Sequence, residues 1–214
     1  MIKVLLFDFD GTIADSFEVV QEVFYEITGS RRIEDPDEIR RLRQMSMIKA
    51  AKELQIKPWQ LPKLLIRGRA LMAAHIDKVE PFKGIEKVID HLHAEGYQMY
   101  VMSSNSAQNV QQFLQNHTLD KYFIRVYGNI GLLGKASAIR SVARHNHFSA
   151  EECAYIGDEV RDIEGAKKAG AFMISVGWGY NDGRLLKTHH PDALAATPKE
   201  IITALQRNRQ HSQE

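Results

Sequence analysis

From residue 84 onward, short apolar runs alternate with segments whose apolar residues recur at helical spacing. That alternation constrains the fold more than any other feature of the sequence. The runs are 97–102, 123–127, 153–156 and 172–176. Between them, 84–95 places Ile85, Val88, Ile89 and Leu92 on one face, and 107–116 does the same with Val110, Phe113 and Leu114. Residues 136–145 follow Lys135, and 163–169 stop at Gly170, a residue type that ends helices because it adopts left-handed backbone freely. Strands that each feed a helix returning over the sheet predict a parallel arrangement wrapped by helices. One more apolar, β-branched run, 2–9, opens the chain and breaks into a turn at Asp-Phe-Asp-Gly. The expected class is α/β, a Rossmann-like parallel sheet flanked by helices.

Residues 15–80 break this rhythm. They contain no convincing strand and read as helices over 17–27, 37–43, 47–54 and 58–76, punctuated by Pro36, Pro58 and Pro62. The expected organisation is an α/β core of residues 1–14 and 81–214, with a small α-helical domain, 15–80, inserted after the first strand. The polar tail 206–214 is expected to fray.

Composition removes several function classes. Lys and Arg total 28 against 27 Asp and Glu, so there is no overall electrostatic case for a nucleic-acid or membrane-surface protein. No run approaches the roughly 20 apolar residues of a membrane helix. The first residues turn acidic where a secretory cleavage site would be small, so a cytoplasmic location is expected. A single cysteine, Cys153, cannot form an intrachain disulfide or a multi-cysteine zinc site, and it is expected in the core. His75, His91 and His93 lie in helical patterns without evident ligand companions.

Four groups of residues carry chemistry. Asp8 and Asp10 share one side of the chain at the carboxyl end of the first strand, the edge where open α/β sheets bind ligands. Two neighbouring carboxylates can split into one ionised and one proton-bearing group, as a nucleophile and a general acid require; alone, the pair also fits an exposed acidic turn. Ser103 and Ser104 follow the next strand, where a hydroxyl and free N–H groups make either an anion cradle or an N-cap. Lys135 opens a helix, against the helix dipole, which suggests a partner anion. Asp158 and Asp162, four apart, would face one side of a helical turn and offer hard oxygen ligands suited to Mg2+. A parallel sheet would gather all four groups at one edge, a set that matches phosphoryl transfer.

In this order the motifs resemble the haloacid dehalogenase superfamily, in its phosphoglycolate phosphatase-like branch with a helical cap inserted after the first strand. Phe7-Asp8-Phe9-Asp10-Gly11-Thr12-Ile13-Ala14-Asp15-Ser16 is similar to the family's first motif, Ser103 to the second, Lys135 to the third, and Gly157-Asp158-Glu159 with Asp162 to the fourth. The resemblance implies a magnesium-dependent phosphatase with an aspartyl-phosphate on Asp8 and Asp10 as acid and base. It implies Mg2+ on Asp8, the Asp10 carbonyl and Asp158, with Glu159 and Asp162 supporting from outside. Phosphate would be held by Gly11, Thr12, Ser103 or Ser104, and Lys135. Arg43, Gln44, Ser46 and Lys49 become candidates for a cap specificity loop. Arg31, Arg32, Arg40, Arg41 and Arg43 could form a cationic face, although Glu34, Asp35, Asp37 and Glu38 interleave with them as on an ordinary solvated helix. The implied partner is a small phosphorylated metabolite, phosphoglycolate-like or a sugar phosphate, with neither nucleic acid nor membrane. The competing expectations are a phosphomutase of the same family and a non-catalytic phospho-ligand-binding regulator; an intact Asp8 and Asp10 speak against the latter.

Overall fold

A computed structural model describes residues 1–29, 33–131 and 134–211. Strand β1 (Val4–Phe7) and the two-residue strand β2 (Ala14–Asp15) lead into helices α1 (Phe17–Thr28), α2 (Pro36–Arg43), α3 (Met47–Glu53) and α4 (Leu61–His75). The chain returns through β3 (Glu80–Pro81), which pairs antiparallel with β2. Strand and helix then alternate as α5 (Ile85–Ala94), β4 (Gln98–Met102), α6 (Ala107–Asn116), β5 (Arg125–Tyr127), α7 (Lys135–His145), β6 (Cys153–Gly157) and α8 (Val160–Ala169). They end as β7 (Phe172–Val176), α9 (Gly183–Thr188), β8 (Ala193–Ala195) and α10 (Lys199–His211).

The main sheet runs β5-β4-β1-β6-β7-β8, every pair parallel. Val-Leu-Leu-Phe in β1 is apolar at each position, so it is stable only where both faces are covered, in the middle of the sheet. Leu5 and Phe7 face one layer, with Ile85 and Ile89 of α5, Phe113 of α6 and Ile201 of α10. Val4 and Leu6 face the other, with Ile139 and Val142 of α7 and Ile163 of α8. Each such side chain contributes about 1.5–3 kcal/mol on burial. The strand order reverses direction at β1, between β4 and β6, which opens a crevice at the carboxyl ends of these strands.

The helical stretch expected over 15–80 is present, and α1 packs against α4. Its two ends are tied by the β2–β3 pairing, which the sequence reading missed because two residues carry no periodicity. Arg31 and Arg32 lie outside the described residues. Arg40 pairs with Asp37 and Arg41 with Glu53, each at 2.6 Å, so these two arginines are spent on neighbouring acids. The expectation of a frayed tail from 206 is corrected: α10 continues to His211, held by Ile201 and Leu205 in the core and by Arg209 on the Tyr97 hydroxyl at 3.0 Å. Residues 212–214 of that tail lie outside the described residues. Among the described residues no helix is long and apolar enough to cross a membrane.

Gly128 shows how tightly β5 meets α6. A Cβ there would lie 2.2 Å from the backbone nitrogen of Ala107. Gly128→Ala is expected to cost about 1–3 kcal/mol. It should be read as a lower urea midpoint with an unchanged m value.

Candidate active site

Two neighbouring parallel strands set the site. Asp8 follows β1 and Asp158 follows β6, and the Asp8 N–H extends the ladder by donating to the Ile156 carbonyl at 2.8 Å. The capped first turn of α8 adds Asp162, whose carboxylate accepts from the Glu159 N–H at 2.9 Å. Ligand oxygens of Asp8, Asp158 and Asp162 all lie within 4.8 Å of one another, and all three side chains are buried. The acids at positions 8 and 158, 150 residues apart in sequence, therefore meet.

Lys135 answers part of that negative charge. It opens α7, and its ammonium donates to Asp8 Oδ2 at 2.6 Å and to Asp162, above the ring of Tyr155. Burial works against its charge, but Asp162 and Asp8 outweigh burial and hold its pKa well above the ordinary value. The close approach of α8 that makes this possible needs Gly165, where a Cβ would fall 2.8 Å from the Lys135 Cβ.

Asp158 is fully buried. It accepts from the Thr12 hydroxyl at 3.0 Å and the Tyr180 N–H at 2.6 Å. Burial, then the carboxylates of Glu159, Asp162 and Asp8, raise its pKa. Burial also pushes Asp162 up to about 6, with Lys135 pulling the other way. Hard oxygen donors, crowded and short of positive charge in a buried crevice, fit a divalent cation of the Mg2+ type.

Asp10 belongs to a different environment. It is turned to the Ser16 hydroxyl (2.9 Å) and the Asn105 amide (3.4 Å). Burial pushes its pKa up to about 6, opposed by the Ser16 hydrogen bond and reinforced by the Asp8 charge. The two carboxyls of the first motif thus sit in different surroundings: Asp8 is paired with the Lys135 ammonium, and Asp10 is held by neutral donors with its pKa raised.

The other expected residues are placed as follows. Gly11 has a φ of +77°, and a Cβ on it would lie 2.3 Å from Asp158 Oδ2, so its role is to let the backbone pass that carboxylate. Ser103 is buried with its oxygen accepting from the Asn105 N–H at 2.9 Å; Ser104 is half-buried, and its carbonyl accepts from Arg69. The Glu159 carboxylate is taken by Arg161. Of the four specificity candidates, Arg43 turns inward, donating to the carbonyls of Trp178 (3.2 Å) and Gly179 (2.6 Å). Gln44 and Lys49 are exposed, and Ser46 is half-buried at the start of α3. His75 does have ligand-type companions, contrary to expectation: Glu22 and Glu26 come within 4.8 Å because α1 packs on α4, a contact that spacing along the chain does not reveal.

Sequence reasoning gave Tyr180, Ser16 and Asn105 no role in the site, although Ser16 closes the first motif. The pointer to Tyr180 was its position directly beyond a strand at the catalytic edge, in Trp178-Gly179-Tyr180. Cys153 is buried as expected, and burial pushes its thiol up to about 11.

With this geometry in place, similarity to known proteins defines the class. The model of the haloacid dehalogenase-like hydrolases matches residues 5–176. The chain belongs to this family, in its phosphoric monoester hydrolase branch. It is 29% identical over 206 residues to the phosphoglycolate phosphatase of Synechococcus elongatus, covering 95% of this chain and 97% of that protein. It is 26% identical over 198 residues to the 5'-nucleotidase of Pseudomonas aeruginosa, covering 87% and 88%. The structure of a predicted phosphatase from Clostridium acetobutylicum superposes with a TM-score of 0.80 at 21% identity, over 97% of this chain and 99% of that one, and so shares the fold.

Two outcomes follow from the site's electrostatics. Lys135→Met strands Asp8 and Asp162 without their shared cation, and should cost about 3–5 kcal/mol of unfolding free energy in chelator-treated protein. Denaturant titration checks it. Cys153 should resist alkylation at neutral pH in the native protein and react once the chain is unfolded, as mass spectrometry would show.

Proposed function

We propose that the chain is a Mg2+-dependent phosphatase that hydrolyses a small phosphomonoester through an aspartyl-phosphate on Asp8. The observation that carries this reading is the contrast between Asp8, paired with Lys135 beside two further acids, and Asp10, held by neutral donors with its pKa raised.

In the first half-reaction an Asp8 oxygen bonds to phosphorus as the ester P–O bond breaks, and Asp10 gives its proton to the departing oxygen. In the second, Asp10 takes a proton from water, the water oxygen bonds to phosphorus, and the Asp8–phosphorus linkage breaks to release phosphate. Lys135 offsets charge on the phosphoryl oxygens, with the Ser103 hydroxyl as a further donor. Asp162 holds Lys135 in place, and Glu159 caps α8 and engages Arg161. Asp8, Asp158 and the carbonyl of Asp10 would hold Mg2+. When bound it would lessen the repulsion between an anionic nucleophile and an anionic phosphoryl group.

The helical segment 15–80 serves as a cap that limits the pocket to small metabolites and excludes water. Its Arg43, seated on the loop after β7, supports this reading. The named activity of the Synechococcus elongatus relative makes phosphoglycolate the first substrate to assay, with sugar phosphates next. Neither nucleic acid nor membrane has a place in this reading, and the location is cytoplasmic.

The test is a screen of phosphorylated metabolites for phosphate release with Mg2+ and with chelator. Release should require the metal. Asp8→Asn should be inactive, and Asp10→Asn should lose about 10²–10⁴ in rate. Normal turnover by Asp8→Asn would overturn the nucleophile, and transfer of phosphate to a second sugar hydroxyl in place of release would identify a mutase.

A further inference from the structure

Beyond β7 the chain runs through Gly177, Trp178, Gly179 and Tyr180 across the site, and Tyr180 is bound at both ends. Its N–H donates to Asp158 Oδ2 at 2.6 Å, and its hydroxyl lies 2.7 Å from Ser16 Oγ, which is 2.9 Å from Asp10 Oδ1. The direction of these bonds follows from proton counting. With the Asp10 proton carried on Oδ2, Oδ1 only accepts, so the one Ser16 proton goes to Asp10 Oδ1 and Tyr180 must donate to Ser16. Ser16 is itself fully buried, so water does not replace either bond.

The loop is fastened elsewhere too. Arg43 holds the carbonyls of Trp178 and Gly179, and Trp178 Nε1 donates to the Thr12 carbonyl at 3.2 Å. The Asn181 side chain accepts from the Val160 N–H and donates to the Met45 carbonyl. The Tyr180 ring lies 6.0 Å from that of Phe17. The hydroxyl is therefore delivered to Ser16 by a braced loop. Asp10 Oδ1 is thereby engaged at 2.9 Å, while Oδ2, which among the described residues accepts from Asn105 at 3.4 Å, is the oxygen left to handle a proton.

Resting on the acid–base role proposed for Asp10, we propose that Tyr180 is a positioning residue for proton transfer. Its hydroxyl, acting through Ser16, fixes the Asp10 carboxyl in the orientation that serves the leaving oxygen.

Tyr180→Phe removes the hydroxyl alone and keeps both the ring on Phe17 and the N–H on Asp158. Its kcat/KM should fall about 10- to 100-fold for an alkyl phosphomonoester, whose leaving group needs a proton. For p-nitrophenyl phosphate, which departs without one, the change should stay within about threefold. Ser16→Ala should give the same split, and the double variant should lose no more than either single variant. Mg2+ activation and the thermal midpoint of Tyr180→Phe should match the parent. Equal losses on both substrates, no loss on either, or a shifted Mg2+ requirement would overturn the inference. If Tyr180→Phe fails to fold, Ser16→Ala decides by the same split. A parent protein with no phosphatase activity would instead sink the proposed function.

Discussion

One ammonium between two buried carboxylates organises this molecule. Lys135 joins Asp8, at the end of β1, to Asp162, in the first turn of α8, so three separate elements meet on one charge. In a low-dielectric interior such charges are costly unless paired, and each pairing here also fixes a distance between elements. Gly165 gives up its side chain so that α8 can lie close to α7, and Asp162 caps its own helix while holding the lysine. Burial and the neighbouring carboxylates raise Asp158, and that excess of negative charge is what a divalent cation would relieve.

The sheet supplies the precision. A strand that is apolar on both faces has to lie in the centre, and a central parallel strand at the point where strand order reverses presents its carboxyl end to an open crevice. Asp8 therefore inherits its position from four hydrophobic residues that precede it. Asp158 inherits its own from the neighbouring Cys153–Gly157 strand, in register with β1. Ser16 stands near the start of the helical excursion, so the segment that leaves the sheet carries with it a contact to Asp10.

Legibility from sequence followed the same physics. The strands β4, β6 and β7 and the helices α5 to α8 could be read because burial on one or both faces imposes a pattern on residue type. The pairing of β2 with β3, the strand β8 and the helix α9 could not, since two to six residues are too few for a period to register. The last turns of α10 read as frayed because they are polar, yet they continue a helix already fixed by Ile201 and Leu205. In the site, Asp8 and Asp158 could be picked out by their positions just after strands, and Lys135 by its place at the start of a helix. Tyr180 could not: it reaches Asp158 through a backbone N–H, which every residue but proline possesses, and Asp10 through an intermediary hydroxyl. The Thr12 hydroxyl donates to Asp158, a contact that reading Thr12 as a phosphate ligand by resemblance does not include.

Two glycines flank Asp158. Gly11 and Gly179 come from loops 168 residues apart, and a methyl on either would fall 2.3 Å from the same Asp158 oxygen. The carboxylate is walled by bare main chain on two sides and has no room to swing. A homologue that grows a side chain at one of these positions has to house its acid somewhere else. The pair is thus a compact fingerprint, readable without coordinates, for sorting distant sequences into those that keep this geometry and those that abandon it.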